Sequence, residues 1–203
     1  VQEEIADKVE QMLRGAMQEL AVGDPGLLET DVGPVIDDAA LARLKRHADE
    51  LRWQGRIVAE VALPQACAHG TYFAPTVARI EDIEQLDGEY FGPMLHLVRY
   101  RAKDLDQVID AINATGYGLT LGVHSRIETT WRRVQARARV GNCHINRGMT
   151  GAVVGVQPFG GEGLSGTGPK AGGPLYLRRF VTERTLTVNT AAVGGNARLL
   201  AGG

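Results

Sequence analysis

Residues 146–174 read NRGMTGAVVGVQPFGGEGLSGTGPKAGGP, and ten of these 29 residues are glycine. Glycine permits positive φ and lets another group approach the backbone closely. The segment carries few charges and, unlike a flexible Gly/Ser linker, it contains apolar residues, which are Val153, Val154, Val156, Phe159 and Leu164. We therefore predict a shaped loop, whose exposed N–H groups favour an anionic or polar ligand.

Part of this loop resembles a phosphate-binding loop without completing its pattern. Residues 163–170 read GLSGTGPK, but Pro169 separates Gly168 from Lys170. Ala171 then replaces the hydroxyl residue that would coordinate Mg²⁺, and no β-branched strand leads directly into the segment. The sequence therefore predicts no nucleoside triphosphate site here.

The composition is that of a soluble globular protein. The chain has 203 residues, of which 44% are hydrophobic and 23% charged, with a net charge of −2. Interspersed charges give no basic patch, so nucleic acid is not indicated as a partner. No apolar run approaches the length of about 18 residues that indicates a membrane span, and the first 30 residues do not resemble a signal peptide. Two cysteines far apart, Cys67 and Cys143, favour reduced thiols and a cytoplasmic location.

Hydrophobic periodicity predicts an α/β fold. Helices are expected at 3–21, 37–51, 103–115 and 127–138, with Asp37 as an N-cap, and a short helical turn at 174–179. Strands are expected at 56–61, 72–80, 94–100, 119–124, 142–146 and 181–188. Alternation of helices and strands predicts a mostly parallel twisted sheet flanked by helices.

The last predicted strand, 181–188, alternates polar and apolar residues. One of its faces is therefore expected to be solvated or to pair with another subunit, so we regard it as a C-terminal oligomerisation strand. We predict one partial domain over 1–189 and a flexible, Gly-rich tail over 190–203.

One candidate binding residue lies between two predicted strands, in the segment Glu89–Pro93, which reads EYFGP. A carboxylate at a loop that joins strands can accept two hydrogen bonds from a diol such as ribose. From this pentapeptide alone, however, an ordinary solvated glutamate is the favoured interpretation, because most loop acids are simply exposed.

The remaining candidates are better explained by structure than by catalysis. Cys67 and His69 lack the second pair that a metal site needs. His96 stands singly in a strand pattern and is expected to be a hydrogen-bonded core or edge group, as is His144. Cys143 precedes His144 directly, so on a strand the two point to opposite faces and cannot readily pair. We interpret Cys143 as structural and find no complete catalytic or metal constellation.

Seven segments, in order over most of the chain, together resemble the aldehyde dehydrogenase superfamily. They are Val22-Gly23-Asp24-Pro25, Gly33-Pro34, Gly70 with Pro75-Thr76, Glu89-x-Phe91-Gly92-Pro93, Tyr117-Gly118-Leu119-Thr120, Gly141-Asn142 with Asn146, and Pro158-Phe159-Gly160-Gly161. The run GAVVGVQPFGGEGLSGTGPKAGGPLYL more narrowly resembles the pyrroline-5-carboxylate dehydrogenase part of bacterial bifunctional proline-utilisation enzymes. The resemblance implies oxidation of L-glutamate γ-semialdehyde to L-glutamate with NAD, with FAD used only in a separate proline dehydrogenase domain.

The same resemblance implies that the reaction centre lies outside this sequence. The family's nucleophilic cysteine, in a Gly-Gln-x-Cys motif, would precede the segment matching Val1, and its general-base glutamate and cofactor domain would lie further upstream. The chain is therefore expected to be the C-terminal portion of a catalytic domain, to depend on the rest of the parent polypeptide, and to be inactive alone. A homo-oligomer is also expected.

Five residues match binding positions of the family. Glu89 matches the glutamate that holds the nicotinamide ribose, and Phe91 matches the aromatic residue beside the nicotinamide. Gly151 and Ala152 match the loop that receives the substrate carboxylate through backbone N–H groups. Phe159 matches an aromatic residue that lines the aldehyde channel. Ala152 stands where some relatives have serine, so only backbone donors are expected there.

Two alternatives remain open from the sequence. One is a dehydrogenase of the same fold for another aldehyde, although an apolar aldehyde would favour an apolar tunnel over a Gly-rich anchor. The other is a non-catalytic oligomerisation module that pairs through 181–188.

Overall fold

The computed structural model describes residues 1–153 and 155–189. The helices are α1 (Glu3–Gln18), α2 (Asp38–Trp53), α3 (Leu105–Ala114) and α4 (Glu128–Arg137). The strands are β1 (Ile57–Glu60), β2 (Thr76–Ile80), β3 (Met94–Val98), β4 (Tyr117–Gly118), β5 (Thr120–Val123), β6 (Asn142–Ile145) and β7 (Glu162–Gly163). The predicted tail, 190–203, lies outside the described residues. No described helix is both long and apolar enough to cross a membrane.

All four predicted helices are present, with ends that differ by a few residues from the prediction. The Asp37 carboxylate accepts a hydrogen bond from the Ala40 N–H at 2.7 Å, which confirms Asp37 as the N-cap of α2. Helix α1 ends earlier than expected because the N–H groups of Glu19 and Leu20 bond three residues back, to Ala16 and Met17. This tighter turn terminates the α-helix before the glycine and proline that were expected to stop it.

The strands form three small sheets, so the prediction of one mostly parallel sheet is wrong for this chain. In the first sheet, β1 runs antiparallel to β2 and β2 runs parallel to β3. The second pairs β4 with β7 antiparallel, and the third pairs β5 with β6 parallel. Parallel pairing was inferred from alternating helices, but among the paired strands that follow one another in the sequence only β5 and β6 are joined through an α-helix, because α3 connects β3 to β4, which belong to different sheets. The β1–β2 connection has only a short 3₁₀ turn, and the chain returns antiparallel.

The core lies where α1 and α2 cover the first sheet. Helix α2 contributes Leu41, Leu44, Ala48 and Leu51, which recur on one helical face. Leu44 packs with Phe73, while Leu51 packs with Ala78 and Ile80 of β2. Met17 of α1 packs on the same sheet against Val58 and Val77. This part of the chain therefore forms a core from side chains of both helices and the sheet.

Helices α3 and α4 are joined largely by charged groups. Asp106 of α3 accepts a hydrogen bond from Arg133 of α4 and forms an ion pair with Arg137, which also pairs with Asp110 at 2.8 Å. The buried apolar side chains of the two helices are Ile109 and Val134. The exposed position of these ion pairs means that each contributes little to the free energy of unfolding.

The predicted strand at 181–188 does not form within the described residues. A 3₁₀ helix, Tyr176–Phe180, precedes it and corresponds to the short helical turn predicted at 174–179. Residues 181–188 then pair with no described strand, and Val181, Leu186 and Val188 are exposed. A strand needs a neighbour that offers unpaired N–H and C=O groups, and residues 1–153 and 155–189 provide none to the segment. Its role in oligomerisation stays a prediction.

Candidate functional site

The segment Glu89–Pro93 leads directly into β3. Glu89 is exposed, and its carboxylate makes no hydrogen bond or ion pair with any residue of 1–153 and 155–189. Phe91 is 73% exposed, an unusual state for a phenylalanine. A carboxylate without a partner therefore lies two residues from an uncovered aromatic ring.

This segment forms a shared wall of two open cavities. The first has a volume of about 700 Å³ and extends from Ile83 past Glu89 to Ala111 and Tyr117. The second has a volume of about 930 Å³ and lies between residues 31–44 and 89–93. Glu89, Tyr90 and Phe91 line both cavities, and the exposed side chains of Glu89 and Phe91 are accessible to a ligand of several hundred Å³.

Titratable side chains in and next to this segment have shifted pKa values. Burial, together with the hydrogen bond to Asp87, raises the pKa of the Tyr90 phenol. The Tyr90 hydroxyl in turn lowers the pKa of the Asp87 carboxyl. Burial lowers the pKa of His47, and burial with the neighbouring His47 lowers the pKa of His96 to about 4. Both imidazoles are therefore neutral near pH 7.

The described residues of the Gly-rich segment, 146–153 and 155–174, are held mainly through backbone hydrogen bonds. The Asn142 side chain donates to the Pro158 carbonyl at 2.9 Å and accepts from the Gly160 N–H at 3.2 Å. Phe159 and Ala171 exchange backbone hydrogen bonds at 3.0 and 2.8 Å. A side chain at Gly141 would collide with the carbonyl oxygen of Gly160, so glycine is required at this close approach.

The N–H groups of Gly151 and Ala152 are open to a ligand. Gly151 has φ +74°, and nothing lies within 4 Å of the position a Cβ would occupy. Neither N–H donates a hydrogen bond within the described part of the chain. The next N–H, that of Val153, is bonded to the Gln157 side chain at 3.2 Å. Two neighbouring backbone donors are therefore left without a hydrogen bond among the described residues.

The two groups of candidate residues do not meet within the chain. Among residues 1–153 and 155–189, no hydrogen bond, ion pair or ring contact joins Glu89 or Phe91 to Gly151, Ala152 or Phe159. Phe159 is half-buried. The nearest connection is Tyr117, which lines the 700 Å³ cavity and pairs with Gly163 of the Gly-rich segment. The cavity therefore borders the base of the loop.

Neither cysteine is fully exposed, and one histidine differs from expectation. Cys143 is half-buried, and burial raises the pKa of its thiol, which disfavours a nucleophilic thiolate. Cys67 is buried and contacts the Val22 carbonyl at 3.6 Å. His144 is buried, but its Nε2 has no partner in the described residues, so the hydrogen bond expected for that atom is absent. No three His, Cys, Asp or Glu residues of the described chain could jointly hold a metal ion.

The sequence did not predict the contact between His96 and His47. Their Nε2 atoms lie 2.8 Å apart, and the His47 ring stacks on Tyr90. His96 is thus a hydrogen-bonded group, as expected, but its partner is 49 residues away in the sequence. The sequence offered one indirect indication of this contact, because Tyr90, which stacks on His47, lies between the two candidate residues Glu89 and Phe91.

The chain belongs to the aldehyde dehydrogenase family, whose sequence profile matches residues 1–186. It is 52% identical over 189 residues to the bifunctional protein PutA of Klebsiella aerogenes, covering 91% of this chain and 14% of that protein. It is 35% identical to the 1-pyrroline-5-carboxylate dehydrogenase of Geobacillus sp. (strain WCH70), covering 91% of this chain and 36% of that protein.

A solved structure supports the same fold. A crystal structure of proline utilization A from Bradyrhizobium japonicum aligns with a TM-score of 0.85 and 52% identity, over 96% of this chain and 20% of that one. The chain thus spans only a small part of the relatives that it matches.

Proposed function

We propose that this chain is part of a proline-catabolic enzyme that oxidises L-glutamate γ-semialdehyde to L-glutamate with NAD. The similarity to PutA and to 1-pyrroline-5-carboxylate dehydrogenase supports this reaction. The observation that carries the chain's own role is the carboxylate of Glu89, which has no partner in the described residues and lies beside the exposed ring of Phe91 at two open cavities.

Glu89 and Phe91 fit the nicotinamide end of the cofactor. The Glu89 carboxylate is able to accept hydrogen bonds from both hydroxyls of a ribose. Phe91 offers an uncovered ring against which a flat heterocycle packs. When bound, NAD would supply the hydride acceptor of the reaction. FAD would belong to a separate proline dehydrogenase domain of the parent polypeptide, as the resemblance implies.

Gly151 and Ala152 fit the carboxylate end of the substrate. Their two N–H groups would donate to the substrate carboxylate, and Phe159 would border the chain that leads to the aldehyde. Binding energy at this remote carboxylate orients the aldehyde for reaction. A carboxylate receiver also disfavours aliphatic aldehydes, because its N–H groups would be left unpaired.

The chain holds binding groups but not a reaction centre. Cys143 is half-buried with a raised thiol pKa, so we assign it no catalytic role. The nucleophile and the general base would come from the rest of the parent polypeptide, which we propose to be cytoplasmic. The purified chain should therefore give no NADH with glutamate γ-semialdehyde and NAD. NADH production that Cys143→Ala abolishes would contradict this assignment.

Glu89→Gln in the full-length polypeptide tests the ribose contact. The substitution keeps the shape but weakens a charge-assisted hydrogen bond, so the KM for NAD should rise about tenfold. The KM for the aldehyde should change little. An unchanged KM for NAD would contradict the assignment of Glu89.

The carboxylate receiver can be tested with two glycines of matched geometry. Gly151 has φ +74° and Gly155 has φ +79°, and neither has any atom within 4 Å of its Cβ position. Valine should therefore strain both sites alike, but only Gly151→Val should shrink the preference for glutamate γ-semialdehyde over propanal in kcat/KM. An equal effect of the two variants would show a general structural role. A parent enzyme that prefers propanal would favour a dehydrogenase for another aldehyde.

A second function, oligomerisation, is favoured by the exposed apolar residues Val181, Leu186 and Val188, which have no strand partner among the described residues. We propose that 181–188 pairs with another subunit of a homo-oligomer. Leu186→Asp in the full-length polypeptide should lower the molar mass measured by light scattering. An unchanged mass would contradict this role.

A further inference from the structure

Tyr90 lies between the two proposed cofactor contacts, and its own side chain is turned to the protein. Its ring stacks on His47 of α2 with centroids 3.9 Å apart and planes inclined by 19°. Its hydroxyl donates to Asp87 at 2.8 Å. Tyr90 is half-buried, whereas Glu89 and Phe91 on either side are exposed. Tyr90 is therefore fixed while its neighbours remain accessible.

The stack continues from α2 to β3. The Nε2 atoms of His47 and His96 lie 2.8 Å apart, so one nitrogen donates and the other accepts. The Arg43 guanidinium lies 4.6 Å from the centroid of the Tyr90 ring and also pairs with Asp87 at 3.4 Å. The segment before β3 is thus tied through side chains to both the helix and the strand.

Gly92 lets the backbone that follows Phe91 pack closely against α2. A Cβ at this position would collide with the side chain of Leu44, which is only 1% exposed and belongs to the core of α2. The backbone also continues into the sheet, because the Thr76 N–H donates to the Pro93 carbonyl at 2.9 Å. Tyr90 and Gly92 therefore contact α2, whereas the side chains of Glu89 and Phe91 remain exposed.

We propose that Tyr90 is a positioning residue, supported by His47, that holds Glu89 and Phe91 in the geometry needed to bind the nicotinamide ribose. This inference rests on the proposed function. The physical reason is that an exposed loop glutamate would otherwise sample many positions, and binding would have to order it. A stacked ring restrains the backbone on both sides of Tyr90 before the cofactor arrives.

The restraint should be insensitive to pH around neutrality. The charged and titratable groups that face His47 are Arg43 and Glu50 of α2, Asp87 of the preceding loop and His96 of β3. Burial lowers the pKa of His47 and of His96, so both rings stay neutral above pH 6.5. The pair then keeps its hydrogen bond without placing a positive charge beneath Tyr90.

The test compares Tyr90→Leu with Tyr90→Phe in the full-length polypeptide. Leucine removes the stacked ring, whereas phenylalanine keeps the ring and loses only the hydrogen bond to Asp87. Tyr90→Leu should weaken NAD binding, measured by calorimetry without substrate, by about tenfold, and Tyr90→Phe by no more than about threefold. The KM for NAD should follow the same order, and the KM for the aldehyde should not change.

A matched control is Tyr176, which makes an edge contact with Phe180 at 5.5 Å. Tyr176→Leu removes an aromatic pair elsewhere and should leave NAD binding unchanged. If Tyr90→Leu does not fold, His47→Gln replaces it, because glutamine still bonds His96 but offers no ring to Tyr90. NAD binding equal to the unsubstituted protein in whichever of the two variants folds would overturn the proposal.

Glu89→Gln separates this proposal from the proposed function. If Tyr90 acts through Glu89, the double variant Glu89→Gln with Tyr90→Leu should bind NAD about as weakly as the worse single variant, rather than showing the product of the two effects. If Glu89→Gln leaves NAD binding unchanged, the ribose contact itself is wrong. If Glu89→Gln weakens binding and Tyr90→Leu does not, the ribose contact stands and the positioning role is wrong.

Discussion

Residues 1–100 and 101–189 are held together in different ways. Of the 16 apolar side chains that the structure describes as buried, 14 belong to residues 1–100, and the other two are Ile109 and Val134. Residues 101–189 instead rely on backbone hydrogen bonds, the Asn142 contacts and the ion pairs between α3 and α4. The first part is stabilised chiefly by apolar burial, and the second by polar contacts of smaller net effect.

The two proposed binding groups differ from each other in the same way. Glu89 and Phe91 are held from behind by side chains, namely Tyr90 on His47 and Leu44 against Gly92. Gly151 and Ala152 lie in a segment held by its own backbone and by Asn142. Substitutions that remove side chains should therefore affect the first group, whereas substitutions that add a Cβ should affect the second.

The largest effect is expected from removing a core side chain of residues 1–100. Leu44 is 1% exposed, whereas Leu177 is 76% exposed. Leu44→Ala should lower the free energy of unfolding by about 2–5 kcal/mol through lost burial and a cavity. Leu177→Ala should change it by less than about 0.5 kcal/mol. Urea unfolding of the chain measures both, and equal losses would contradict the contrast between the two parts.

The next largest effect on the free energy of unfolding is expected from adding a methyl group, rather than removing a side chain, within residues 101–189. Gly141→Ala would place a Cβ against the carbonyl of Gly160, where only backbone atoms could move aside. We expect a loss of about 1–3 kcal/mol in the free energy of unfolding. The control is Gly148→Ala, because nothing lies within 4 Å of its Cβ position and it should be nearly neutral. A neutral Gly141→Ala would mean that the Gly-rich segment is not held by its backbone.

These two parts also differ in how well the sequence predicted them. Helical periodicity found all four helices, since that signal is local. The pairing of His47 with His96 and the contacts of Asn142 with Pro158 and Gly160 join distant residues, which no local pattern encodes. The single parallel sheet was wrong because strand order depends on which edges meet. The strand at 181–188 failed because pairing needs a partner that the described chain does not provide.

A smaller effect is expected from the buried carboxylate of α1. Glu10 is 6% exposed, and it accepts hydrogen bonds from Arg79 of β2 at 2.7 Å and from Arg99. Glu10→Gln should lower the free energy of unfolding by about 1.5 kcal/mol, near the lower end for charged hydrogen bonds because Arg79 is half exposed. Asp7 also bonds Arg99 but its side chain is 90% exposed, so Asp7→Asn should cost less than about 0.5 kcal/mol.

The Glu10 carboxylate should also make the free energy of unfolding depend on pH. The hydrogen bond from Arg79 lowers the pKa of Glu10 below its ordinary value of 4.5. The contribution of ionised Glu10 to the free energy of unfolding is therefore present above pH 4.5, and it is lost as the pH falls through the lower pKa of the folded state. Glu10→Gln should remove that part of the acid sensitivity, and an unchanged acid profile would contradict the ion pair.

The smallest effect is expected from the His47–His96 pair. Burial lowers the pKa of His96 from 6.5 to about 4, so between these values the unfolded chain binds a proton that the folded chain does not. The free energy of unfolding should therefore fall as the pH falls from 6.5 towards 4, by about 1 kcal/mol after allowing for the partial exposure of His96. His96→Gln keeps a hydrogen-bonding group but cannot titrate, so it should reduce this slope between pH 6.5 and 5, where the lowered pKa of His47 contributes the rest and carboxyl groups such as Glu10 still remain ionised. Urea unfolding at several pH values in this window measures the difference, and an equal slope in both proteins would show that the pair is solvated and does not restrain Tyr90 from beneath.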